Sequence, residues 1–291
     1  MEDLLRPIYQ EKASHKNTLG ILMIEKVVQH SPVTDTFNIV LFVIVQNAEH
    51  PVFIKHYAFH DQKAALHIVD EQKVREWILY GSNRKVIDWL LNGKILFDRN
   101  EYISNLRKEL LEFPKENRKL KMGLEFAKLI RRYMEGRSFF EKEQFLDAYN
   151  HVLHALHHLA RLSVIEHGFY PEVTVWNQVK NIEPQIYKLY EELIESEEPL
   201  YKRLELLFLA SDFLIHSKLD VGASHLISVL ETKNEPWSIF DMYRHHELEA
   251  YSIDLVIMLE FLVEKNVLSI ETVHTKGQGI YHRYYFVEKN L

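Results

Sequence analysis

At 291 residues the chain is long enough for about two domains of roughly 150 residues, and its 47% hydrophobic and 12% aromatic content excludes wholesale disorder. It contains no cysteine, which excludes a disulfide scaffold and a thiolate zinc site and leads us to expect a reducing, cytoplasmic location. The net charge of −7 argues against nucleic-acid binding over the whole surface. An acidic start broken by Pro7 is not a signal peptide, and the longest apolar run, Ile39 to Val45, falls far short of the ~20 residues that cross a bilayer. No membrane partner is expected.

Along the chain, the first hundred residues alternate short strands with helices. Leu19–Ile24 and Phe37–Val45 are apolar and β-rich, the second almost without interruption, as in a central strand covered on both faces. After a turn at Asn47, Glu49 and Pro51, strands over 52–59 and 63–69 form a hairpin through His60-Asp61. Asp70 is placed to cap a helix reaching Leu79. A second helix over 84–91 stops at Asn92-Gly93, and Lys94–Asp98 is one more strand. The result is a small mixed sheet with helices, closing near residue 113.

Beyond Pro114 the periodicity is helical. Lys115–Glu135 carries apolar residues at 120, 124, 127 and 130 and is expected to end at Gly136. Helices over Gln144–Glu166, Trp176–Glu195, Pro199–Ser217 and Val221–Leu230 complete a five-helix bundle. The last part reads helix (238–246), helix (252–265) and a hairpin of strands over 267–275 and 279–287 around Lys276-Gly277-Gln278. That is the order of a winged helix-turn-helix. The expected domains are 1–113, 114–232 and 233–291.

Four phrases carry a resemblance: Pro-Ile-Tyr-Gln-Glu (7–11), Ser-Pro-Val-Thr-Asp-Thr-Phe (31–37), Gly-Lys-Ile-Leu-Phe-Asp-Arg-Asn (93–100) and the histidine-rich Asp147–Arg161. With them the chain resembles, over essentially its full length, the YgxA family of bacterial nucleotidyltransferase-like proteins. Through that family it is similar to nucleotidyltransferases of the DNA-polymerase-β type with a helical substrate-binding partner. The resemblance implies an α+β fold: an N-terminal nucleotidyltransferase-like mixed sheet with helices, a central helical bundle and a small C-terminal winged-helix-like module.

Nucleotidyl transfer in that wider superfamily uses two divalent metals to neutralise phosphate charge and activate the attacking oxygen. The resemblance implies a Gly-Ser turn for the phosphates, two aspartates two apart on a strand, where i and i+2 share a face, and a third carboxylate on a neighbouring strand. This sequence departs from each. Glu25-Lys26 stands where Gly-Ser is expected, Thr36 and Asn38 occupy the aspartate pair with Asp35 one residue out of phase, and the third strand offers His67. A β-bulge could bring Asp35 and Asn38 together, although an aspartate and an amide make a poor magnesium cage. Asp35 and Asp98 are thus the candidate catalytic carboxylates, with a turn residue and a helix cap as their structural alternatives. Asn38 and Lys26 are candidate substrate contacts.

His151, His154 and His158 share one helical face, with His157 beside it. They are candidate substrate contacts in a cleft between the α/β part and the bundle rather than metal ligands, with ordinary packing of a half-polar helix face as the structural alternative. Arg161 and His167, six apart, resemble the Arg-x(4–6)-His pattern of helical HEPN domains that partner small nucleotidyltransferases. The bases of Arg118–Arg137 spread over several faces and read as solvated surface. The candidate recognition helix 252–265 holds three acids and one base, the wrong charge for phosphates, so DNA binding is not expected. The expected function is a nucleotidyltransferase-like binding protein with a degraded metal site, acting in that cleft on a nucleotide, an RNA or a protein partner. The alternatives are a magnesium-dependent transferase with a rearranged site, and a winged-helix nucleic-acid-binding regulator. A homodimer stays open.

Overall fold

The computed structural model describes residues 2–26, 32–59, 61–113 and 115–288. The chain divides into two compact units, Met1–Pro114 with Phe169–Thr174, and Lys115–Gly168 with Val175–Leu291. The expected border near residue 232 therefore falls inside the second unit. His60 of the expected turn and Pro114 lie outside the described residues.

In the first unit, strands β1 (Thr18–Glu25), β2 (Ile39–Val45), β3 (Val52–Phe59), β4 (Gln62–Asp70) and β5 (Lys94–Asp98) form one sheet in the order β3-β4-β2-β1-β5. β2 and β4 run parallel and the other neighbours antiparallel. β2 is buried at every position, which explains its unbroken apolar run. One face of the sheet, with Ile21, Met23, Leu41, Val43 and Leu66, is covered by helix α1 (Glu2–Ser14) through Leu5, Ile8, Tyr9 and Ala13. That spacing is one helical face. The sequence pattern, with Pro7 as a break, predicts no helix here. Proline removes one backbone donor, and the burial around Leu5 more than offsets it.

The opposite face, which includes Leu22, Val40, Phe42 and His67 by strand alternation, takes α2 (Glu71–Tyr80), α3 (Lys85–Asn92) and α4 (Tyr102–Glu112). Asp70 caps α2 by accepting from the Gln72 amide at 2.8 Å. The returning segment 169–174 joins this unit by stacking Tyr170 on Phe113, centroids 3.8 Å apart.

Asp88 of α3 faces the same segment. Burial, then the charge of Glu172, push its carboxyl up to about 6, against a hydrogen bond from the Val173 amide, and its Oδ2 is buried without a hydrogen-bond partner. A carboxyl whose folded pKa is raised contributes stability below its ordinary value, 3.8, and loses it as pH rises through about 6. Asp88→Asn is therefore expected to stabilise the protein at pH 7, on the order of 1 kcal/mol after allowing for partial solvent screening. Melting curves at pH 7 and pH 4 check this. The gain should vanish at the lower pH, and an equal gain at both would refute the assignment.

The second unit contains α5 (Lys115–Glu141), α6 (Phe145–Glu166), α7 (Val175–Ile182), α8 (Pro184–Glu195), α9 (Leu200–Ser217) and α10 (Leu219–Leu230), then α11 (Ile239–Arg244), α12 (Asp254–Glu264) and the hairpin β6 (Ser269–His274) and β7 (Tyr281–Phe286). Two boundaries differ from expectation. The helix over 176–195 is two, because Glu183 leaves the helical region and Pro184 opens the next helix as its first residue. Gly136 does not end α5. A Cβ there would lie 3.2 Å from the Cβ of His151 and 3.4 Å from Val152, so the glycine lets α5 and α6 approach closely. Gly123 serves α5 in the same way, since a Cβ would fall 2.1 Å from the hydroxyl of the buried Tyr251.

The C-terminal helices also lie on α5. Arg131 is ion-paired with the buried Asp254 at the start of α12, and Phe126 meets Phe261 edge to face. Another acid of α12, Glu260, accepts from Arg283 at 2.9 Å and from the Tyr285 hydroxyl at 2.8 Å on β7.

Candidate functional site

The candidate residues Lys26, Asp35 and Asn38 lie on the segment between β1 and β2. Backbone bonds anchor its ends: Lys26 N donates to Asn38 O at 2.8 Å, and Asn38 N to Lys63 O at 2.9 Å. The Asn38 side chain repeats that link, its Oδ1 accepting from Lys63 N at 2.9 Å. α3 fixes the middle, where Trp89 Nε1 donates to Val33 O at 2.9 Å. Lys85 Nζ reaches both oxygens of Asp35, at 2.5 and 2.6 Å. Asp35 has φ +53°, a left-handed conformation that aspartate tolerates better than most side chains.

His67 stands on β4 beside this pair with its ring 5.0 Å from Trp89. Burial, then the charges of His56 and Lys85, lower its pKa to about 4, against the opposing pull of Asp35. It is neutral at pH 7.

Asp98 is elsewhere. In the sheet register it lies opposite Gly20, near the start of β1, whereas the Asp35 turn follows Glu25 at the strand's other end. Five residues of strand, about 17 Å at roughly 3.3 Å each, separate the two ends. Asp98 instead accepts from the Ile103 amide at 2.7 Å, the Ser104 amide at 3.1 Å and the Ser104 hydroxyl at 2.7 Å, so it caps α4. The pair expected to share a site is not brought together.

The donor set does not fit a two-magnesium centre. Magnesium asks for near-octahedral oxygen ligands. The sequence from Lys26 to Asn38 contains one carboxylate, Asp35, and an ammonium holds both its oxygens. The Asn38 amide oxygen is used in strand pairing, and β4 supplies an imidazole.

In the second unit the histidine face of α6 meets the glutamates of α5. His158 Nδ1 lies 2.8 Å from Glu125 Oε2. His151 Nδ1 lies 3.0 Å from Glu135 Oε2, a contact without hydrogen-bond alignment. Lys128 Nζ is 3.5 Å and Arg161 Nη1 3.9 Å from the same Glu125 carboxylate. Burial pushes Glu125 up, but the His158 hydrogen bond and the charges of Lys128, His158 and Arg161 prevail and hold it at about 2. Burial lowers the nearby Lys121 to about 8, with Glu125 resisting and Lys128 adding to the fall. His154 is exposed, its pKa lowered by burial of part of its ring and by Arg132, His158, His151 and Arg161. Two of the three expected substrate histidines therefore rest on α5 glutamates. The signal was present in the order, since antiparallel pairing of α5 with α6 sets Glu135 nearest His151 and Glu125 nearest His158.

Arg161 and His167 do not form a pair. Arg161 faces Glu125, while His167 Nδ1 bonds Ser163 O at 2.9 Å and lies 3.6 Å from Glu183 Oε1. Among the described residues, Glu166, His167 and Glu183 bring ligand atoms within 4.8 Å of one another. Lys218 Nζ sits 2.6 Å from both Glu166 Oε2 and Glu183 Oε1, so a cation already occupies that place. No helix among the described residues is long and apolar enough to cross a membrane.

Comparison with known proteins agrees with this architecture. The family described as nucleotidyltransferase-like matches residues 1–118, the YgxA-like substrate binding domain residues 119–218, and a helix-turn-helix domain residues 224–287. The crystal structure of a nucleotidyltransferase-like protein from Exiguobacterium sibiricum 255-15 superposes with a TM-score of 0.82 at 38% identity, covering 99% of each chain. YgxA of Bacillus subtilis (strain 168) is 56% identical over 291 residues, 100% of this chain and 99% of that one. With the sheet, the bundle and the helix-turn-helix in that order, the chain belongs to the YgxA family of nucleotidyltransferase-like proteins.

Proposed function

We propose that the protein binds a nucleotide, free or at the end of an RNA, and does not transfer it. The observation that carries this reading is the ion pair at the β1–β2 turn. The aspartate that would serve a metal is spent on Lys85, and Lys85 is itself a phosphate-binding group. A ligand phosphate would enter by competing with the Asp35 carboxylate for that ammonium, with Lys26 at the edge of the same turn. The absence of cysteine supports cytoplasmic residence.

Calorimetric titration with each nucleoside triphosphate, with and without magnesium, tests the reading. Asp35→Asn should tighten binding by roughly 3- to 10-fold, because it frees Lys85 from a partly exposed ion pair. Lys85→Met should abolish binding. The alternative transferase predicts the reverse: Asp35→Asn would remove magnesium-dependent pyrophosphate release. Turnover in wild type that is lost in Asp35→Asn overturns the binding reading.

The helix-turn-helix match supports a second reading, nucleic-acid binding by the C-terminal part. Asp254 and Glu260 of α12 are spent on Arg131 and Arg283, which favours a packing role. Duplex binding that weakens steeply with salt would reverse that preference.

A further inference from the structure

Helix α9 carries an apolar stripe on its outer side. Leu206, Leu209 and Phe213 are 55%, 66% and 75% exposed, and their i, i+3, i+7 spacing puts them on one face. Exposed aromatic and aliphatic groups in a continuous row mark an interaction surface rather than scattered surface apolars. Beside the row, between α8 and α9, lies a cavity of about 240 Å³, its wall mainly apolar (Leu189, Leu206, Leu207, Ala210) with Glu192, Ser196 and Arg203 at its polar side.

We infer that this face is a two-fold interface between two copies of the chain. The argument is self-complementarity. The protruding ring of Phe213 and the cavity at Leu206–Ala210 belong to the same helix, about one turn apart. A two-fold axis through Ala210 sets residue 210+k of one α9 against 210−k of the other, so each Phe213 approaches the partner's cavity between Leu206 and Ala210, and the exchange is reciprocal. The sizes agree, since a cavity of roughly 150 Å³ already accepts benzene, and the leucines offer the ring an apolar wall. The small side chain of Ala210 at the crossing point allows the close approach of roughly 8–10 Å between helix axes. Phe213, Leu206 and Leu209 together expose on the order of 350 Å², the apolar centre of an interface needing about 800 Å² per partner. The exposed Lys202, Glu205, Asp212 and His216 supply a polar rim.

Sedimentation equilibrium of the full chain at about 50 µM, a range in which a stable dimer is populated, tests the inference. Wild type should weigh twice 34.7 kDa. Phe213→Asp should return the mass to 34.7 kDa with an unchanged circular dichroism spectrum. Because the chain has no cysteine, Ala210→Cys introduces a single thiol on the proposed axis, where the Cα–Cα distance suits a disulfide only if below roughly 7 Å. That variant should form a covalent dimer on mild oxidation, and Glu271→Cys on the wing should not. A wild-type monomer at this concentration overturns the interface, as does a dimer that survives Phe213→Asp.

Discussion

Replacing Lys218 with methionine is expected to cost about 3–5 kcal/mol of stability, the range for removing one partner of a buried ion pair. Lys218 and Glu183 are 7% and 8% exposed, and Lys218 Nζ bridges Glu166 and Glu183. Once the ammonium is gone, Glu183 retains Ser163 Oγ at 2.7 Å and Gln185 Nε2 at 3.1 Å, neutral donors facing a buried anion. Thermal unfolding should show a fall on the order of 10 °C for a unit of this size. The double change Lys218→Met with Glu183→Gln should recover most of it, since no charge is left unpaired. A fall under about 2 °C, well short of what that energy implies, would mean that the lock contributes little. Burial pushes Glu183 up, but Lys218 and Ser163 bring it below its ordinary value, while Lys218 is raised by Glu166 and Glu183 against its own burial. The glutamate's contribution is present above 4.5 and lost as pH falls through its lowered value; the lysine's is present below 10.5 and lost as pH rises beyond it.

Glu125→Leu is expected to be comparably damaging, about 3–5 kcal/mol, for the opposite electrostatic reason. The carboxylate is the counter-charge to Lys128 and Arg161 and the hydrogen-bond partner of His158 at the α5–α6 seam. Its loss sets like charges against each other in a water-poor setting. The folded carboxyl titrates near 2 instead of 4.5, so its stabilisation is complete above pH 4.5 and disappears as pH falls toward 2. Urea midpoints at pH 7 and pH 3 check this. The gap between wild type and Glu125→Leu should narrow on acidification, and a gap independent of pH would assign the loss to packing alone.

The sheet could be read in the sequence because burial imposes its period on strands. β2 is apolar throughout since both faces are covered, and Asp70 announces α2 through local capping. The errors have local causes as well. Pro7 drew attention from the 5, 8, 9, 13 pattern of α1. Gly136 looked like a stop when it is a contact, because the neighbour that requires a glycine lies on another helix. Asp35 was legible as a turn residue, but Lys85 lies fifty positions further along the chain. Asp98 caps a helix from five and six positions away, beyond the usual capping spacing. Lys218, which closes the Glu166–Glu183 cluster, has partners 52 and 35 positions distant and no periodicity to betray it.

The stack of Tyr170 on Phe113 has a consequence for biosynthesis. As the chain leaves the ribosome, the sheet and its helices are complete once residue 113 has emerged, yet the last piece of the first unit, ending at Thr174, follows 174 − 113 = 61 residues later. At about 5–20 residues per second this is a delay of roughly 3–12 s. During it Phe113, 1% exposed in the finished protein, has no aromatic cover. A nascent chain arrested before Tyr170 should therefore present that ring to chaperones, and release past Thr174 should withdraw it.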